Sequence, residues 1–147
     1  MDELSSALKV ALGNTFVMYF QAHSYHWNVE GVHFSQYHDF FGDIYEEVYS
    51  SVDSIAEKIR ALDVYAPISL TQIYKYSTIE EDVVMPTDVR SRVQLLLSSN
   101  QIVLQSLNSA FKIASNQNKQ GIADFLAGRI DAHDKHQWML TSSLKGM

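Results

Sequence analysis

Residues 35–62 read SQYHDFFGDIYEEVYSSVDSIAEKIRAL. Phe41, Ile44, Val48, Val52, Ile55, Ile59 and Leu62 recur there at intervals of three and four, which lays one apolar stripe along a helix. Ser35 is a suitable N-cap, and Lys58 and Arg60 in the last turn suit the negative end of the helix dipole. The segment is expected to form one long helix from Ser35 to about Leu62.

Working outward, the stretch from Glu3 to about Trp27 carries Leu4, Leu8, Ala11, Leu12, Phe16, Tyr19, Phe20 and His23 at helical spacing, and Asn28 to Phe34, with Gly31, reads as a turn. Downstream, Asp63 to Pro86 is a long connection bracketed by Pro67 and Pro86, with room for one short helix from Ser69 to Tyr76. Thr87 or Asp88 caps a third long helix, marked by Val89, Val93, Leu96, Leu97, Ile102 or Val103, Leu104, Leu107, Phe111 and Ala114. The polar run Ser115 to Gly121 ends it, and a last helix follows from about Ile122 to Leu144. Two helices, a long crossover and two more helices predict an all-α four-helix bundle, with a short extra helix in the crossover between helices 2 and 3. The 147 residues fit one domain, 1–147.

Composition narrows the function. The chain has two prolines, six glycines and no cysteine, so long helices are permitted and thiolate metal sites and disulfides are not. The net charge of −6 repels phosphate backbones and attracts cations. There is no run of about 18 apolar residues, and MDELSSALKVALG lacks the pattern of a signal peptide. A cytoplasmic protein with no membrane partner is the expectation.

Four residues carry candidate chemistry: His26, His38, Asp53 and Glu57. Imidazole nitrogen and carboxylate oxygen are the donors that ferrous iron accepts, as do zinc and manganese. Singly, each is an ordinary solvated or capping residue. Asp53 and Glu57, four apart, project from one helix face. His38 lies fifteen residues before Asp53, roughly 22 Å along a continuous helix axis, whereas a metal–ligand bond is about 2 Å. The histidines and the carboxylates therefore belong to different sites, or a second subunit completes one site. A two-fold pair of copies would then hold two identical centres.

The run His26-Trp27-Asn28-Val29-Glu30-Gly31, followed by Phe34, His38, Phe41, Tyr45, Asp53, Ala56, Glu57, Lys58 and Ile59, resembles the Dps family of ferritin-like proteins, the mini-ferritins. Ser69-Leu70 and Ile79-Glu80 resemble its crossover. Asp124-Phe125-Leu126 and Asp134 to Met139 resemble its last helix. The resemblance implies a hollow homo-dodecamer with ferroxidase centres between subunits, His26 and His38 from one and Asp53 and Glu57 from its neighbour. It implies oxidation of Fe(II) by hydrogen peroxide or oxygen and storage of ferric mineral, with protection against oxidative damage. It puts Trp27 close to the metal, although a packed aromatic explains that residue equally well. It makes Asp124 and Asp131 candidates for an iron-entry pore, against the plainer reading of an acidic solvated face that also includes Asp134.

Many members carry a further acidic ligand four positions after the second histidine; here Gly42 stands there, with Asp39 and Asp43 nearby, so a second iron is expected to be weakly held. His133 and His136 are three apart and read as surface or packing residues rather than a metal clamp. Glu30 to His33 spells ExxH in a turn and is discounted. Lys9 is the only lysine or arginine in the first fifty residues and Lys145 stands alone near the C-terminus, so DNA compaction is not expected. A non-catalytic, metal-binding oligomeric shell is the remaining rival.

Overall fold

The computed structural model describes residues 2–147. Six helices occur in the order α1 (Glu3–Asn28), α2 (Phe34–Ser50), α3 (Val52–Ala61), α4 (Leu70–Tyr76), α5 (Val89–Asn116) and α6 (Gln120–Leu144), with no strand among the described residues. α2 and α3 together make the second long member of a four-helix bundle, and α4 is the short helix in the crossover. The most extensive packing is between α5 and α6, between α1 and α2, and between α1 and α5.

The expected single helix over 35–62 breaks at Ser51. Its amide bonds back to Val48 at 3.2 Å in a tighter turn, its hydroxyl bonds to the same carbonyl at 2.7 Å, and Ser50 Oγ bonds to Glu47 O at 2.6 Å. Adjacent serines that bond the preceding turn bend a helix. The backbone at Ser51 stays right-handed (φ −89°, ψ −14°), so the apolar stripe continues across the break through Phe41, Ile44, Val48, Ile55 and Ile59, all buried. The helix also begins before Ser35: Phe34 is its first residue and His33 holds the cap position.

On α1 the core face runs Leu4, Leu8, Ala11, Thr15, Met18, Ala22 and Tyr25, and departs from the expected stripe after its first turns. Phe16, Tyr19, Phe20 and His23 lie on a second apolar face. Periodicity could not separate the two because α1 is covered on more than one side, by α2, α3, α5 and the crossover.

Two local devices seat the crossover on α1. A Cβ at Gly13 would fall 2.7 Å from Ile73 O and 2.8 Å from Ser77 N, so the missing side chain lets the end of α4 approach. Asn14 Oδ1 next to it accepts from Thr78 N at 2.7 Å and from Ser77 Oγ at 2.9 Å. Ser69 caps α4 by accepting from Gln72 N, and of Thr87 and Asp88 it is Asp88 that caps α5, accepting from Ser91 N at 2.7 Å.

Candidate metal centre

α1 delivers His26 in its last turn and α2 delivers His38 in its second, across the Gly31 turn. The two rings stack with centroids 3.7 Å apart and planes 19° apart. Each ring bonds the other's backbone: His26 Nδ1 to His38 O at 2.6 Å, and His38 Nδ1 to His26 O at 2.7 Å. A carbonyl oxygen only accepts, so both Nδ1 atoms carry their protons. In the neutral rings Nε2 then holds the lone pair, the state that metal coordination requires, with orientation fixed by the opposite nitrogen.

Gly42, one turn beyond His38, closes this clasp from below. A Cβ there would lie 3.0 Å from His26 Nδ1 and 3.2 Å from its Cε1. The glycine the sequence shows as a missing ligand is also the space in which His26 sits. Its signal was a glycine inside a helix, a placement that ordinarily costs about 1 kcal/mol and so asks for a reason.

An aromatic shelf continues from the clasp. His23, one turn before His26, stacks on Tyr45 at 3.8 Å and 6°, and its Nδ1 lies 3.0 Å from Tyr19 Oη. Burial, and then the neighbouring His26, lower its pKa. Trp27 lies over His23 at 4.2 Å and is 56% exposed, so within one chain it is a surface aromatic and not a packed core residue.

Asp53 and Glu57 stand on the exposed face of α3, and neither makes an ion pair among the described residues. The structure thus brings His26 to His38 and sets Asp53 a helical turn from Glu57, but does not join the two pairs. Among the described residues of one copy, no three histidine, aspartate or glutamate side chains gather as ligands of an ion. Asp124, Asp131 and Asp134 are exposed on the outer side of α6.

His133 and His136 are not surface residues. They are 0% and 6% exposed, on the core face of α6, and enter a polar network with Glu47, Asn100 and Arg129. Burial raises the Glu47 carboxyl, but the hydrogen bonds and charge of His136 and Arg129 outweigh it and hold that carboxyl far below the usual range. Sequence inspection missed this cluster. Its signal was Arg129, His133 and His136 at the three-and-four spacing of Ile122, Leu126 and Leu140, which places them in the buried stripe.

The sequence profile of the ferritin-like domain family matches residues 5–147. The DNA protection during starvation protein 2 of Bacillus anthracis is 28% identical over 128 residues, covering 87% of each chain. The Dps of Vibrio cholerae O1, described as a member of a broad superfamily of ferritin-like diiron-carboxylate proteins, superposes with a TM-score of 0.92 at 29% identity, over 97% of this chain and 89% of that one. The Dps of Staphylococcus aureus gives 0.91 at 28% identity, over 99% and 97%. With an all-helical bundle, a short crossover helix and this profile match over nearly its whole length, the chain belongs to the ferritin-like family, where its relatives and structural neighbours include Dps proteins.

Proposed function

We propose that this chain is a ferroxidase and iron-storage mini-ferritin, a single domain that assembles into a hollow homo-dodecamer. The observation that carries the reading is the reciprocal clasp: both Nδ1 atoms are committed to backbone carbonyls, so two Nε2 lone pairs are presented by a rigid, stacked pair. Two imidazoles alone make a weak site. The exposed Asp53 and Glu57 of a neighbouring copy supply the oxygen donors that a split ligand set lacks.

Ferrous iron is the substrate. His26 and His38 bind it through neutral nitrogen, while Asp53 and Glu57 bring the negative charge that favours the ferric product. Hydrogen peroxide takes one electron from each of two ferrous ions and leaves as two hydroxides; oxygen serves as the alternative oxidant. Ferric mineral then collects in the shell, removing iron and peroxide together. Zinc or manganese would compete for the same donors. Asp124 and Asp131 serve as pore residues where copies meet. DNA is not a partner, because the chain is acidic, and no helix among the described residues is long and apolar enough to cross a membrane. A cytoplasmic location fits this chemistry.

The test follows ferric absorbance after Fe(II) and peroxide are mixed. His26→Ala and Asp53→Ala should each slow oxidation at least tenfold, since even the supporting partners of metal ligands change activity by about 10–100-fold. Native mass should give twelve copies of the 16.7 kDa chain, roughly 200 kDa. Unchanged oxidation in both variants, with assembly intact, would leave only a non-catalytic shell.

A further inference from the structure

A second set of metal-type donors lies where α2 meets α6, with His133 and His136 buried and Glu47 partly exposed. The guanidinium of Arg129 donates to both oxygens of Glu47, at 2.6 and 3.0 Å, and to His133 Nε2 at 3.0 Å. A guanidinium cannot accept, so His133 Nε2 offers it a lone pair, and the ring proton on Nδ1 goes to Asn100 Oδ1 at 2.8 Å. Asn100 is fixed in turn by donating to His133 O at 3.0 Å and Gln137 Oε1 at 3.1 Å. His136 Nε2 donates to Glu47 Oε1 at 2.8 Å. Two carboxylate oxygens and an imidazole lone pair therefore converge on one positive group, with a second imidazole beside them.

We propose that Glu47, His133 and His136 form a cation site between α2 and α6 that the Arg129 guanidinium occupies, and that removing the guanidinium turns it into a site for a divalent transition-metal ion. The Glu47 and His133 donors stand 2.6–3.0 Å from the guanidinium nitrogens, which is hydrogen-bond distance, and not the roughly 2 Å of a metal bond. With the arginine in place they do not close on an ion, and among the described residues no three such side chains gather as ligands. Arg129 Nε is buried and unpartnered, so the side chain is not fully satisfied where it lies. Arginine keeps its charge at any ordinary pH and fills the position with a flat, weakly hydrated ion. A divalent ion there would keep Glu47 and His133 as ligands and gain His136 once its Nε2 gives up the proton it donates to Glu47. The arginine thus keeps metal off these donors.

Cobalt(II) titration of the full chain tests this, with His26→Ala and His38→Ala added to silence the half-buried pair. Arg129→Ala in that background should bind one cobalt per chain at least tenfold more tightly than the parent, with a visible ligand-field spectrum, and His133→Ala should abolish the gain. Arg129→Lys keeps a cation in place and should gain nothing. A folded Arg129→Ala chain that binds cobalt no better than its parent overturns the proposal, and so does a gain that survives His133→Ala. If Arg129→Ala loses helicity by circular dichroism, cobalt or a low concentration of guanidinium should restore it, and failure of both also overturns the proposal.

Discussion

Two histidine pairs in this molecule are built from the same side chain and reach opposite ends. His26 and His38 are partly exposed, come from two helices, and use one nitrogen each on a backbone carbonyl. The other nitrogen is left over. His133 and His136 are buried on a single helix, and His133 has both ring nitrogens engaged, one by Asn100 and one by Arg129. The difference is made by the partners. A carbonyl fixes a tautomer and leaves an acceptor, whereas an amide and a guanidinium together consume both positions. The first pair keeps two Nε2 positions open and the second holds helices together: Glu47 on α2 meets α6 there through charged hydrogen bonds.

The comparison breaks most visibly at His133. His133→Ala removes a fully buried ring and strands Asn100 and Arg129, so it should destabilise the chain by about 3 kcal/mol, read from urea unfolding. Oxidation of Fe(II) per folded chain should change less than twofold. His26→Ala should do the reverse, with a stability change below about 1 kcal/mol and a loss of activity of at least tenfold. A loss of both properties in both variants would mean that the two pairs do not divide the work.

Acid separates them next. Burial, followed by the positive charge of Arg129 and His136, lowers the His133 pKa from 6.5 to about 3, with Glu47 opposing. The unfolded chain therefore takes up a proton near pH 6.5 that the folded chain refuses. Stability should fall as pH drops from 6.5 toward 3, by about 2 kcal/mol at pH 5, since each pKa unit is worth about 1.4 kcal/mol. Glu47 adds to the loss only below its unfolded pKa of 4.5, because its folded pKa is depressed, and its partly exposed side chain limits that share to about 1 kcal/mol. Thermal melts of His133→Gln should show a shallower slope between pH 6.5 and 5 than the parent. Equal slopes would place the acid sensitivity elsewhere.

The fold was legible because helical period, caps and crossover length agree: Ser69 and Asp88 cap where their side chains permit, and the stripe from Phe41 to Ile59 faces the core. What sequence could not supply was choice between equals. α1 is apolar on two faces, and only packing decides that Met18, Ala22 and Tyr25 turn inward while Phe20 and Trp27 stay outside. The break at Ser51 depends on two hydroxyls choosing backbone acceptors over water. The four candidate ligands were readable from spacing and resemblance, and their separation within one copy followed from helix rise. The tautomers of His26 and His38 were not readable, because they depend on carbonyls twelve residues away. Likewise, spacing puts Arg129, His133 and His136 on the buried stripe of α6 but could not show that Glu47 of α2 meets them there.

Gly42 offers the finest division between stability and site. In a helix interior, glycine to alanine ordinarily gains about 0.5–1 kcal/mol, because the unfolded chain loses freedom. Here the added methyl would sit 3.0 Å from His26 Nδ1, a contact closer than an unstrained carbon tolerates. The ring must shift by a few tenths of an ångström, and it cannot do so without lengthening the bond to His38 O. Gly42→Ala should therefore unfold at the same or a slightly higher denaturant concentration yet bind Fe(II) a few-fold more weakly. A variant that gains stability and keeps its affinity would show that the clasp is looser than its two short hydrogen bonds imply, and that the nitrogen lone pairs do not depend on it for their aim.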